Sequence, residues 1–266
     1  MRIRVGCEFV HKATGPTPAI WQVRPRPDGP DGLLSSAWES TPPLATTSYI
    51  DAFGNLCDRL VLPEGRSVVR FDAVAEVSGN PDPVDVYALQ QPVETLPHDA
   101  LVYLLPTRFC LSDVLHDEAW ELFGSTPPGW ARVQAVCDWV HDSVTFDYQN
   151  TSPVTTACDV WQSRTGVCRD FAHLGVTFCR ALNIPARYVF GYLPDIGVAR
   201  TAQPMDFCAW MEVYLGDRWW TFDPRNNQRR VGRVLIGRGR DAVDVAMLTT
   251  YGATVLESME VWAGEA

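Results

Sequence analysis

A cysteine that follows a glycine-containing turn and opens an apolar helix has the setting of a nucleophile, and Cys168 has that setting. It lies in Thr165-Gly166-Val167-Cys168-Arg169-Asp170, just ahead of an apolar run that reaches Leu182. In the first turn of a helix a thiol meets the positive end of the macrodipole and unpaired backbone N–H groups, and both favour thiolate. The same N–H groups can receive an oxyanion. Asp170, two residues on, is placed to cap or brace the helix start. The plain alternative is that Cys168 is one more buried cysteine among eight, the others being Cys7, Cys57, Cys110, Cys137, Cys158, Cys179 and Cys208.

Two runs around this cysteine carry a resemblance. Thr155 to Leu193, TTACDVWQSRTGVCRDFAHLGVTFCRALNIPARYVFGYL, and Asp206 to Asn227, DFCAWMEVYLGDRWWTFDPRNN, resemble the core of bacterial transglutaminase-like proteins, which are related to papain-type cysteine enzymes. With the preceding helix the similarity spans roughly residues 107–252, and an N-terminal β domain is usual in that family. The resemblance implies that the cysteine of a GxC motif attacks a carbonyl. A histidine in an HAW-type motif then takes the proton, and an aspartate in an FDP-type motif orients the histidine. Carried over position by position, it makes Cys168 the nucleophile and Asp223 the orienting acid, and it places Cys208 where the histidine belongs.

No other histidine is an obvious substitute. Of His11, His98, His116, His141 and His173, only His173 is near the motif, and five residues along a helix is about 140° of rotation from Cys168. His173 and His141, the latter in WVHDSV, read as structural or supporting residues. A positioned general base contributes about 10²–10⁴-fold, so ordinary amide hydrolysis is disfavoured. An amine leaving group must be protonated, whereas a thiolate need not be, so exchange from a thioester stays open. The resemblance also implies an oxyanion donor: Gln162 precedes Cys168 by six residues, the papain-like spacing, with Trp161 beside it, although an exposed polar residue would look the same. Strand alternation puts Cys208, Trp210, Glu212 and Tyr214 on one face, so Trp210 and Glu212 join Trp161 and Asp170 as cleft-lining candidates.

Three roles stand open for Cys208: passive replacement, a disulfide with Cys168, or a share in a Cys₂Asp metal set with Asp223 that would lack the usual fourth ligand. The readings of function follow from these. They are a cysteine acyltransferase or hydrolase with an altered base, a pseudoenzyme that binds a ligand or protein in the cleft, and a redox- or metal-responsive protein. No cofactor or resident metal is expected. The expected partner is a small-molecule or peptide acyl substrate, or a thioester borne on a carrier, and the sequence leaves oligomeric state open.

The bulk properties narrow the partners further. A chain of 266 residues with net charge −10 opposes association with nucleic acid or anionic lipid. Arg229, Arg230, Arg233, Arg238 and Arg240 form a local exception, read either as a solvated face with acidic partners or as a dock for a carboxylate or phosphate. MRIRVGCEFVHKATG lacks a signal-type apolar run, no stretch is long enough to span a membrane, and no CxxC pair is present, so a cytoplasmic setting is expected.

The elements that must position these residues make an α+β order. Residues 1–80 read as an N-terminal β-sandwich-like domain, with alternation in Arg2–Val10 and Val68–Val77, a strand at Ala19–Val23, and a hairpin from Ser48 to Leu62. Residues 81–106, broken by prolines, form a connector. Residues 107–266 read as the transglutaminase-like α+β domain. Its helices lie at Asp117–Phe123, after Pro127-Pro128, at Asp159–Ser163 and at Cys168–Leu182, followed by strands from Ala186 to Thr250.

Overall fold

The computed structural model describes residues 1–27, 32–199 and 203–266. Six strands come first: β1 (Arg2–Ala13), β2 (Thr17–Trp21), β3 (Gly32–Thr41), β4 (Thr47–Ile50), β5 (Leu56–Leu62) and β6 (Gly65–Glu76). The proline-rich stretch after them contains only 3₁₀ turns at Val93–Thr95 and Leu101–Leu104. Helices α1 (His116–Phe123) and α2 (Trp130–Ser143), strand β7 (Thr145–Phe146), α3 (Ala157–Ser163), β8 (Thr165–Gly166) and α4 (Cys168–Ala181) follow. The chain then runs through β9 (Ala186–Tyr192), β10 (Cys208–Leu215), β11 (Arg218–Phe222), β12 (Val234–Gly239), β13 (Leu248–Thr250) and β14 (Thr254–Glu265).

Three four-stranded antiparallel sheets result, in the orders β14-β1-β6-β3, β13-β2-β5-β4 and β11-β10-β9-β12. The mixed α+β architecture is the one read from the sequence, with a β-rich N-terminal region. The last two strands of residues 107–266, however, join sheets of the first eighty: β14 pairs with β1 from Ile3↔Glu265 to Ala13↔Thr254, and β13 pairs with β2. Strands β3 and β14 are the two outer strands of their sheet and carry mostly exposed or half-buried residues. A strand without a buried face has no reason to alternate apolar with polar, and this is why neither announced itself.

The two halves share a core. Ile3, Val5, Phe9, Trp21, Val69 and Phe71 pack in one cluster with Tyr188, Phe190 and Tyr192 of β9 and with Phe207 ahead of β10. The Tyr192 hydroxyl donates to the Val23 carbonyl at 2.8 Å, which locks the first half onto the third sheet.

Helix α4 is the element everything else surrounds. Every residue from Asp170 to Ala181 is buried, with α1, α2 and α3 on one side and β9 and β10 on the other. Gly175 permits this contact, because a Cβ there would lie 2.9 Å from both Met211 Sδ and Pro224 Cγ.

Candidate functional site

The start of α4 is fixed by its own acid. The Val167 N–H donates to Asp170 Oδ2 at 2.9 Å, Thr151 Oγ1 donates to the same oxygen at 2.6 Å, and Arg169 pairs with Oδ1 at 2.7 Å. Gly166 lets the carboxylate fold back, since a Cβ at that position would meet Asp170 Cβ at 2.6 Å. Asp170 is fully buried beneath the helix start, so it braces the site and does not line the cleft. This arrangement leaves Cys168 at the first helical position, half-buried and facing a cavity of about 1060 Å³.

Cys208, the first residue of β10, opens on the same cavity, where its Sγ lies 3.7 Å from the Ala209 carbonyl and its thiol interacts electrostatically with that of Cys168. Cys168 Sγ also lies 3.8 Å from the Phe207 carbonyl, while the Ala209 N–H reaches toward it. The thiol hydrogen bond from Cys208 holds the Cys168 pKa below the ordinary thiol value against burial, helped by the Ala209 N–H and the Arg225 charge. The Cys208 thiol is held well above it, by the bond to Cys168 and by burial. The other six thiols, Cys7, Cys57, Cys110, Cys137, Cys158 and Cys179, are all pushed up by burial. Cys168 is the single thiol of the eight that moves toward thiolate.

Asp223 stands close by but serves a different cation. Arg233 Nη2 donates to Asp223 Oδ2 at 2.8 Å, and Asn226 donates to both oxygens, through its backbone N–H at 2.9 Å and its amide at 2.8 Å. Burial would raise this carboxyl, yet Arg233 and Asn226 keep it below the usual range. Arg233 is itself clamped by Asp82 at 2.9 Å and lies 4.7 Å above the Trp210 ring. The carboxylate implied as an orienter of Cys208 is therefore consumed by a guanidinium, which is permanently charged and cannot act as a base. It backs onto a separate small cavity of about 190 Å³ that includes Trp130 and Cys137. With its oxygens taken, it cannot complete a Cys₂Asp metal set, and no cluster of three or more His, Cys, Asp or Glu suited to a metal occurs among the described residues.

Other residues singled out from the sequence lie outside the cleft. Gln162 is exposed on α3 and does not line the cavity. Trp161 packs on Trp139 and Phe178, with Arg164 above its ring at 3.9 Å. Trp210 is buried with Val189 and Leu235. Glu212 does share the Cys208 face of β10, but it is held between Arg187 and Arg238, which outweigh its burial and lower its pKa. Alternation gave the right face, while depth along the strand decided what that face meets.

His173 is fully buried, stacked on Phe109 at 5.1 Å, and its Nε2 accepts from the Ala242 N–H at 3.2 Å. Burial, with Arg169 and Arg180 nearby, keeps it neutral. His141 bonds the Arg225 carbonyl at 2.8 Å. Each member of the arginine run has an acidic or carbonyl partner, although Arg230 Nε and Arg233 Nη1 are buried without one: Arg230 pairs with Asp195, Arg233 with Asp82 and Asp223, Arg238 with Glu212, Arg240 with Asp244, and Arg229 donates to the Asp82 carbonyl. The acidic partners are those of the plainer reading, although Arg230 and Arg233 are buried rather than solvated.

Sequence reasoning passed over two cavity residues, Asp206 and Arg225. Asp206 stands two residues before Cys208, a position whose proximity to Cys168 only the strand geometry reveals. Arg225 follows the FDP motif and lies 4.1 Å above the Phe146 ring.

The family model for the transglutaminase-like superfamily matches residues 121–224, a span that takes in Cys168, Cys208 and Asp223. The crystal structure of a candidate cysteine protease from Cytophaga hutchinsonii is 31% identical, superposes with a TM-score of 0.90, and is covered over 90% of its length by 99% of this chain. An uncharacterised Mycobacterium leprae protein, ML0607, is 34% identical over 133 residues, which is 47% of this chain and 47% of that protein, so this chain spans about half the length of that relative. The Mycobacterium tuberculosis protein Rv2569c is 28% identical over 219 residues, 74% of this chain and 69% of that one. No helix among the described residues is long and apolar enough to cross a membrane.

Proposed function

The chain belongs to the transglutaminase-like superfamily, and from that premise we propose that it transfers acyl groups through a Cys168 acyl-enzyme, taking them from thioester donors. The observation that carries this reading is the placement of Cys168 as the first residue of α4, open to the cavity beside Phe207 and Cys208, with its pKa lowered where those of the other seven thiols are raised. A thiol whose pKa is lowered depends less on a base for the attack, and a thiolate leaving group needs no acid for its departure. Cys208 keeps its proton and lends it as a hydrogen bond. The Arg233–Asp223 pair fills the space behind Cys208 with a fixed charge pair, which is why the site lacks an amidase's proton shuttle. The cavity has room for a peptide, a small molecule or the end of a carrier arm. Attack by Cys168 requires both neighbouring thiols to stay reduced, which suits a cytoplasmic setting.

The test is intact-mass analysis after incubation with the phenyl thioester of N-acetylglycine. The expected result is one acyl addition, mapped to Cys168 and absent in Cys168→Ala. Hydrolysis of a simple amide through Cys168, with no acyl adduct from any thioester, would overturn the reading.

The placement of Cys168 and Cys208 on one cavity, with their thiols interacting, supports a second reading, a reversible disulfide. It calls for a loss of two titratable thiols on mild oxidation that dithiothreitol restores and Cys208→Ser prevents.

A further inference from the structure

Transfer from a thioester still leaves one proton unaccounted for. The acceptor that attacks the acyl-enzyme, whether water, an alcohol or an amine, must lose a proton as its new bond to the acyl carbon forms. Neither Cys208, which is already protonated, nor Asp223, which is bound by Arg233, can take it.

We propose that Asp206 is the general base for the acceptor. Its carboxyl lines the Cys168 cavity and is anchored by Oδ1, which accepts the Phe207 N–H at 2.7 Å. The next carbonyl along, that of Phe207, is the one 3.8 Å from Cys168 Sγ, so the base and the nucleophile hang on two sides of one residue. No protein donor bonds Oδ2 among the described hydrogen bonds, and Asp206 is one of the residues lining the cavity. The charged and titratable groups around it are Arg225, Tyr148 and Cys168. Burial raises the Asp206 pKa, opposed by the Phe207 N–H and by Arg225. A carboxylate made more basic is better suited to take a proton.

The step balances without any further reactant. The acceptor's nucleophilic atom bonds to the acyl carbon while its proton passes to Asp206. The C–S bond breaks and its electron pair returns to Cys168 as thiolate. Asp206 then releases the proton to solvent, and the next donor restarts the cycle.

This inference rests on the acyl-enzyme reading, and one experiment separates the two. The probe is p-nitrophenyl acetate, whose leaving group needs no acid. In the wild-type protein a burst of nitrophenolate reports acylation and the steady state reports deacylation. Asp206→Asn keeps an acceptor for the Phe207 N–H, and it is expected to leave the burst unchanged while deacylation falls by about 10²–10⁴-fold. Hydroxylamine, a strong nucleophile that needs little help from a base, should restore turnover in the variant. Asp206→Ser should show the same split. Unchanged deacylation, or loss of burst and deacylation together in both variants, overturns the assignment of Asp206. Absence of a burst and of acetylated Cys168 in the wild-type protein overturns the acyl-enzyme reading itself.

Discussion

Cys168 and Cys179 ride the same helix. Eleven residues apart, they differ by only about 20° around its axis and by roughly 16 Å along it. Cys179 is fully buried, and its pKa is pushed up to about 12. Cys168 is moved the other way by the Cys208 hydrogen bond, despite burial of its own, and by the Ala209 N–H and Arg225. Chemical identity and rotational phase are thus nearly the same, and what separates the two is position along the axis. The first turn opens on a cavity with Cys208, the Ala209 N–H and Arg225 nearby, whereas the last turn buries Cys179 among residues such as Phe178 and Leu182, where burial outweighs the Arg180 charge. A thiol near 12 is about 10⁻⁵ thiolate at pH 7, so it is inert as a nucleophile whatever its surroundings expose.

The comparison breaks most visibly on removal of each sulfur. Cys168→Ala should abolish acyl-enzyme formation, a loss of at least about 10³-fold in turnover, with little change in melting temperature. Cys179→Ala should leave turnover within about twofold and lower the melting temperature by an amount equivalent to about 0.5–3 kcal/mol, as expected for a core site. Turnover assays and thermal melts on the two variants decide it, and swapped outcomes would place the chemistry at the wrong end of the helix.

A smaller effect isolates the hydrogen bond. Cys208→Ala removes the donor that stabilises the Cys168 thiolate, so the alkylation midpoint of Cys168 should move up. A hydrogen bond to a charged group is worth about 1.5–3 kcal/mol, which corresponds to about one to two pH units. Cys179 should not respond. An unchanged Cys168 midpoint would assign the shift to the helix terminus alone.

The smallest effect concerns the brace beneath the helix start. Asp170→Asn weakens the acceptor for the Val167 N–H and removes the partner of Arg169. Stability should drop by about 0.5–2 kcal/mol, the range for a lost N-terminal cap. Thermal melts measure the drop, and labelling of Cys168 should slow by less than it does in Cys208→Ala.

Much of this was legible beforehand, for identifiable reasons. The Gly166 turn, the apolar run after Cys168 and the Asp170 brace are local features, and local features survive in a sequence. Strand β6 alternates because one of its faces is buried, and β1 keeps its Ile3, Val5, Cys7 and Phe9 face although residues on both of its faces are buried. The edge strand β14 does not alternate, and its return to β1 from the far end of the chain left no local trace. At the site, the FDP motif located Asp223, but its partner could not be read from the motif: Arg233 comes from β12's approach and Asp82 from the proline-rich connector. Glu212 and Trp210 were placed on the correct face yet too far along β10 to reach the cavity. Asp206 was invisible because its significance depends on the distance between a strand start and a helix start, which meet only in three dimensions.

The measurement that bears most directly on the central claim is the pH dependence of iodoacetamide labelling, resolved by mass for all eight cysteines of the native protein between pH 4 and 10. The account predicts that Cys168 labels first, with a midpoint below the ordinary thiol value, while Cys179 and Cys208 stay unmodified throughout. Labelling of Cys168 at or above the midpoint of an ordinary thiol, in step with the half-buried Cys158, would contradict it.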